Sequence, residues 1–177
     1  ERNTAMGRSA LETNTVENNN TAIGWYALKL ASTASESTAI GSYAGHQITT
    51  GDQNTVMGYN AGGSLTTGGS NICIGAYALD AAVSGSHNTA IGNAALSTAT
   101  GDYNTAVGSS AAQLTTTGDR CVAIGYGTLY DNTTGSQNTA VGMSALENNT
   151  TGSYNTAVGY NALVSNTTTQ YNTAVGH

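Results

Sequence analysis

Eleven glycines divide the 177-residue chain at an almost constant interval: Gly7, Gly24, Gly41, Gly58, Gly75, Gly92, Gly108, Gly125, Gly142, Gly159 and Gly176. Nine of the ten intervals are 17 residues, and the interval from Gly92 to Gly108 is 16. Each glycine closes a short motif. Asn-Thr-Ala-(Ile/Val/Met)-Gly occurs intact seven times. Ser37-Thr-Ala-Ile-Gly41, Asn54-Thr-Val-Met-Gly58, Asn71-Ile-Cys-Ile-Gly75 and Cys121-Val-Ala-Ile-Gly125 fill the remaining places. Ala-Leu follows the anchor glycine, as in Ala27-Leu28 and Ala145-Leu146, and a Thr-Thr-Gly turn sits near the end of the unit, as in Thr66-Thr67-Gly68. The consensus is G-x-x-A-L-x-x-x-T-T-G-x-x-N-T-A-V. A repeat this short is one supersecondary unit that must stack on its neighbours to bury anything.

Seventeen residues cannot hold two helices, and apolar residues do not recur at helical spacing. The unit therefore predicts two short β segments separated by turns: Asn-Thr-Ala-Val alternates as a strand does, and the second glycine marks a β-turn. The expected fold is all-β, a parallel β-solenoid or β-roll with one unit per coil, running through residues 1–177 as a single repeat region. Ten steps of strand spacing make a rod of about 50 Å. A hexapeptide β-helix is excluded, because the places six and twelve after Ile40 are His46 and Asp52.

Column substitutions suggest orientation. The residue before the anchor is always aliphatic or Met: Met6, Ile23, Ile40, Met57, Ile74, Ile91, Val107, Ile124, Val141, Val158 and Val175. This column is expected to face the core. The Ala column, replaced by Val56 and Cys73, lies on the opposite face yet stays small and apolar. Two covered faces point to a partner chain. The Asn column, present in nine of eleven units, suggests a hydrogen-bonded amide ladder along the rod.

Composition removes several function classes. Four basic residues make no footprint for nucleic acid or an anionic membrane, and no apolar run is long enough to span a bilayer. Leu, Ile and Val number 26, and Pro and Phe are absent, too little for an ordinary globular core. The chain does not begin with Met, and both ends stop inside the repeat without polar caps. The reading is an excerpt of a longer fibre, or a segment that stacks end to end.

The motif resembles two families. Cys121-Val-Ala-Ile-Gly125 is close to the repeat of the left-handed parallel β-roll heads of trimeric autotransporter adhesins, the YadA-like heads. The fuller unit in Thr150–Leu163 looks like repeat regions of phage-type tail-fibre proteins. The resemblance covers the whole chain, although the unit here is longer than in YadA-like heads. It implies a homotrimer of left-handed β-rolls in an extracellular appendage, on a virion or a cell surface, contributing to host or surface attachment.

Candidate sites weigh little beside this. Asp52, Asp102 and Asp119 follow the turn glycine in a column that Ser and Gly also fill, which reads as turn formation. His46, His87 and His177 occupy different places in the unit, with no convergence for a metal or proton transfer. Cys73 and Cys121 lie three coils apart, too far for a bridge within the chain. If the Asn column faced a threefold axis, three copies of Cys121 would meet. Asn-x-Thr triplets at Asn19, Asn132, Asn148, Asn149 and Asn166 are glycosylation acceptors in a suitable host. The exposed aromatics Trp25, Tyr26, Tyr59, Tyr126 and Tyr160, with Tyr43, Tyr77, Tyr103, Tyr154 and Tyr171, either bind glycans or pack between coils. The expected function is structural, non-enzymatic and cofactor-free, with copies of itself and a surface glycan or receptor as partners. A glycan-binding adhesin is the alternative. Ice binding ranks lower, because Ile72 and Val122 in the Thr column suggest that Thr faces inward.

Overall fold

The computed structural model describes residues 2–14 and 18–177. Its described residues form an all-β parallel solenoid, with one three-residue strand per coil. The strands are β1 (Thr4–Met6), β2 (Thr21–Ile23), β3 (Thr38–Ile40), β4 (Thr55–Met57), β5 (Ile72–Ile74), β6 (Thr89–Ile91), β7 (Thr105–Val107), β8 (Val122–Ile124), β9 (Thr139–Val141), β10 (Thr156–Val158) and β11 (Thr173–Val175). They pair in sequence order into one eleven-stranded sheet. Each residue sits opposite its counterpart in the next coil, as Ala22 does opposite Ala39. Among the described residues, the second β segment expected in each unit does not form.

The shortened unit keeps this register, with Thr89 opposite Thr105. The missing residue comes out of the Thr-Thr-Gly turn. Thr100 and Gly101 both donate to the Thr116 carbonyl, at 2.7 and 3.1 Å, just as Thr116 and Thr117 both donate to Thr133.

What replaces the second strand is a path through left-handed backbone. Beside the anchor glycine, three places per coil have positive φ, as at Tyr26 (60°), Leu28 (47°) and Glu36 (56°), and only at Gly45, Gly62 and Gly127 does glycine fill one of them among the described residues. L-residues rarely adopt this region. It persists because it turns each N–H toward an adjacent coil. Tyr26 donates to Arg8 O (3.0 Å), Leu28 to Ala44 O (3.0 Å) and Glu36 to Asn18 O (3.2 Å). A backbone that bonds mainly along the stack must leave room along the stack. At Gly41 (φ 135°), a Cβ would lie 2.6 Å from the Gly58 carbonyl oxygen, so the anchor column admits glycine alone.

The core is narrow. Inside lie the strand Ala column, including Val56 and Cys73, the Ala-Leu pair, and the column holding Ile48 and Leu65. That last column changes character along the rod, becoming Thr115, Asn132 and Asn149, all buried.

The orientation expected from the substitutions is corrected here. The column Met6, Ile23, Ile40, Met57, Ile74, Ile91, Val107, Ile124, Val141, Val158 and Val175 does not fill the interior of this chain. Every member is half-buried or exposed. A strand has two faces. The interior between strand and turns admits the small Ala side chain, so Thr and the larger aliphatic residue turn outward together.

Candidate functional site

The outward face of the sheet is the most extended surface feature. Thr and Ile, Val or Met stand side by side on nine of the eleven strands, about 7 Å apart along each, and repeat every 4.8 Å or so along the rod. Ile72 and Val122 enlarge the apolar part in the Thr column. Even mid-rod, Ile124 is 40% exposed. A continuous apolar stripe of this length marks an interaction surface.

The Asn column points the other way, into the coil. Asn71 shows the pattern. Its Oδ1 accepts the Asn88 amide (2.9 Å), and its Nδ2 donates to Gly85 O (2.8 Å) and to Asn54 Oδ1 (3.1 Å). The ladder therefore runs mainly from side-chain amide to backbone. Ser37 continues it with its hydroxyl, which accepts the Asn54 amide at 3.1 Å. Cys121 occupies the same buried column, with Sγ 3.3 Å from Gly135 O. It faces the interior of its own coil, so the meeting of three Cys121 residues on an axis has no basis here.

Burial pushes the Cys73 thiol up to about 12 and raises the Cys121 thiol as well. A second amide ladder joins Asn132, Asn149 and Asn166, each step 2.9 Å. Asn132 and Asn149 are thereby closed to glycosylation, whereas Asn19 and Asn148 are exposed.

The acidic column serves the stack. Asp52 Oδ1 accepts the Ser35 amide (2.7 Å), Asp102 the Ser86 amide (2.8 Å) and Asp119 the Asp102 amide (2.8 Å). Ser136 and Ser153 do the same with hydroxyls. Asp and Ser interchange because each offers an oxygen to the preceding coil. A turn signal alone missed this role.

Most of the aromatics are engaged with one another. Trp25, Tyr26, Tyr43, Tyr59 and Tyr77 form a run of ring contacts with centroids 5.0 to 6.4 Å apart. Lys29 lies over Tyr26 at 4.5 Å and pairs with Glu12 at 3.6 Å. Tyr43 also holds His46, whose pKa is lowered by burial against the raising effect of the Tyr43 carbonyl. His87 stacks on Tyr103 and Tyr154 on Tyr171, both at 4.9 Å, while Tyr160 meets His177 at 5.2 Å. Among the described residues, Tyr126 and Tyr130 make no such contact. The three histidines remain separate, as their places in the unit imply.

No family model, curated protein or solved structure matches this chain. The candidate surfaces are therefore argued from their own geometry.

Proposed function

We propose that this chain is a stiff segment of an extracellular trimeric fibre, a virion tail fibre or a cell-surface appendage, that works by reach and display rather than catalysis. The observation that carries the reading is the outward aliphatic and threonine stripe along the sheet. Its occupant must present apolar surface at the same axial repeat. Another copy of this chain does so at every coil in register, and a heterologous contact, one outward column of each copy against the other column of the next, closes into a ring of three. Two adjacent outward columns suit two neighbours around a threefold axis. The resemblance to YadA-like heads and phage-type fibres agrees with three copies.

Native mass spectrometry tests the proposal. Three times the 17.8 kDa chain mass is expected. Ile91→Lys, in the middle of the stripe, should dissociate the assembly while the far-ultraviolet spectrum persists. A wild-type monomer would refute the trimer.

A second reading rests on one specific observation. Thr faces outward, contrary to the expectation that had set ice binding low. A regular array of hydroxyls beside methyl groups on a parallel sheet can order water. In that case the protein is a monomer that shapes ice crystals, and Thr89→Tyr abolishes the effect.

A further inference from the structure

We propose that the surface pocket beside β8 and β9 binds a neutral or amino-bearing saccharide ring. The pocket has a volume of about 280 Å³ and is lined by Ser110, Tyr126, Gly127, Tyr130 and Glu147. That is small for a drug-like site and near the size of one sugar ring. The inference does not depend on how many copies assemble.

Three observations distinguish this pocket from the other aromatic surfaces. First, its ring faces are unclaimed. Among the described residues, eight of the ten tyrosines touch another aromatic ring, and the two that do not are Tyr126 and Tyr130. Tyr126 is also 63% exposed, well above the tyrosines of the Trp25–Tyr77 run. An aromatic ring with a free face takes the C–H face of a sugar, whereas rings packed edge to face on each other present little.

Second, the polar groups in the pocket are unspent. Among the described residues, the Glu147 carboxylate, the Ser110 hydroxyl and the two phenols make no side-chain hydrogen bond or ion pair. Their backbone amides and carbonyls alone serve the stack, as where Asp131 N–H donates to Glu147 O at 2.9 Å. A carboxylate in the same lining as two phenols accepts from vicinal hydroxyls or from an ammonium group. With Asp131 on the adjoining coil and no Lys or Arg lining the pocket, it repels an acidic sugar.

Third, the opening is made by a residue that coil packing does not require. Gly127 has φ 61°, in a column where Tyr77, Asn60 and Asn161 hold the same left-handed backbone with side chains attached. A Cβ on Gly127 would meet nothing nearer than Ser144 Oγ at 3.8 Å. The anchor glycines are different, since any side chain there strikes the next coil. Gly127 leaves space that the fold would allow to be filled.

This contrast supplies the test. Gly127→Tyr installs a residue the column already carries, so the coil should fold while the pocket is occupied. The full chain would be examined by saturation-transfer NMR with glucose, N-acetylglucosamine, glucosamine and N-acetylneuraminate, and on a glycan array. Binding of the neutral or amino sugars is expected, weak for a single ring and stronger on the array through multivalency. Gly127→Tyr and Tyr126→Ala should each reduce it at least tenfold, and Glu147→Gln should weaken glucosamine more than glucose. Unchanged far-ultraviolet spectra and melting temperatures would confirm that the variants fold. No binding of any neutral or amino sugar, binding that survives Gly127→Tyr, or preference for N-acetylneuraminate would each overturn the assignment.

Discussion

Replacing one anchor glycine tests the physical account of the coil stack most directly. In Gly41→Ala, the new methyl group would lie 2.6 Å from the Gly58 carbonyl oxygen and 2.8 Å from its carbon, at φ 135°. The backbone conformation alone costs about 1–3 kcal/mol for an L-residue. Relieving the contact to an ordinary 3.4 Å requires the coils to part by about 0.8 Å. The Gly58 N–H to Ile40 O bond, 2.9 Å in the intact chain, would then exceed useful hydrogen-bond length. The neighbouring Asn60 N–H to Ser42 O bond, at 3.1 Å, would open with it. Each unsatisfied group costs about 1–3 kcal/mol. With one stranded group per lost bond the total is about 3–9 kcal/mol, at or beyond the upper end of the usual effect of a point substitution. Gly176→Ala is the control, with nearly the same φ of 131° and no atom within 4 Å, so only the conformational part remains. Stacked repeats can unfold piecewise, so hydrogen exchange should be read at individual amides alongside urea denaturation. Protection at Gly58 should collapse in Gly41→Ala, while the distant Gly142 amide, bonded to Ile124 O, stays protected. A Gly41→Ala chain with an unchanged urea midpoint and full protection at Gly58 would refute the close-approach reasoning.

The ladders make two further predictions. Asn71→Ala strands the buried Asn88 N–H and Gly85 carbonyl, and should lower stability by about 2–4 kcal/mol. Asn71→Ser should lose clearly less in the same urea titration, since the Ser37 hydroxyl shows how a shorter side chain keeps the amide bond. At Cys73, burial holds the thiol near 12 against 9.0 for the free group. The folded state therefore favours the neutral thiol: its stabilising effect is complete below pH 9 and is lost as pH rises toward 12, by up to about 1.4 kcal/mol per unit. Wild type should lose stability relative to Cys73→Ala between pH 9 and 11, with Ala as occupant because the same column carries it at Ala90. Equal pH profiles for the two chains would contradict the burial.

Repeat length and motif spacing suffice to read the parallel stack, the strand that ends at the anchor glycine and the role of that glycine, but they predict a second strand that the turns replace. They were insufficient for orientation, and the reason is volume. Aliphatic residues in one column and small residues in the other predict, by hydrophobicity alone, that the larger residues lie inside. In a coil with a single three-residue strand, the interior between strand and turns is so shallow that only the smaller column fits. Ala22, Ala39 and Ala90 are fully buried, whereas Ile23, Ile40 and Ile91 are not. Side-chain size ranked by column, rather than hydrophobicity alone, was the signal that could have found this. The left-handed residues were illegible for a different cause. Tyr26, Leu28 and Glu36 share no side-chain chemistry that favours positive φ, and the conformation is imposed by hydrogen bonds to neighbouring coils. The pocket was partly legible, since Gly127 departs from the bulkier residues of its column and Tyr130 stands where other units carry Lys29, His46 or Glu147.

The same volume argument bears on assembly. An isolated solenoid gains nothing from placing its larger aliphatic residues outside and its alanines inside, for hydrophobic stabilisation scales with apolar area removed from water. This chain nonetheless places Ile, Val or Met on the outward face in all eleven units, including the two in which the neighbouring Thr is also replaced by Ile72 or Val122. Random drift on a solvated face would have admitted Lys, Glu or Ser at some coil, as the exposed turns do. The outward stripe is what a second apolar environment would select, and under the proposed assembly a stripe of uniform chemistry and pitch would be matched at every coil by another copy of itself.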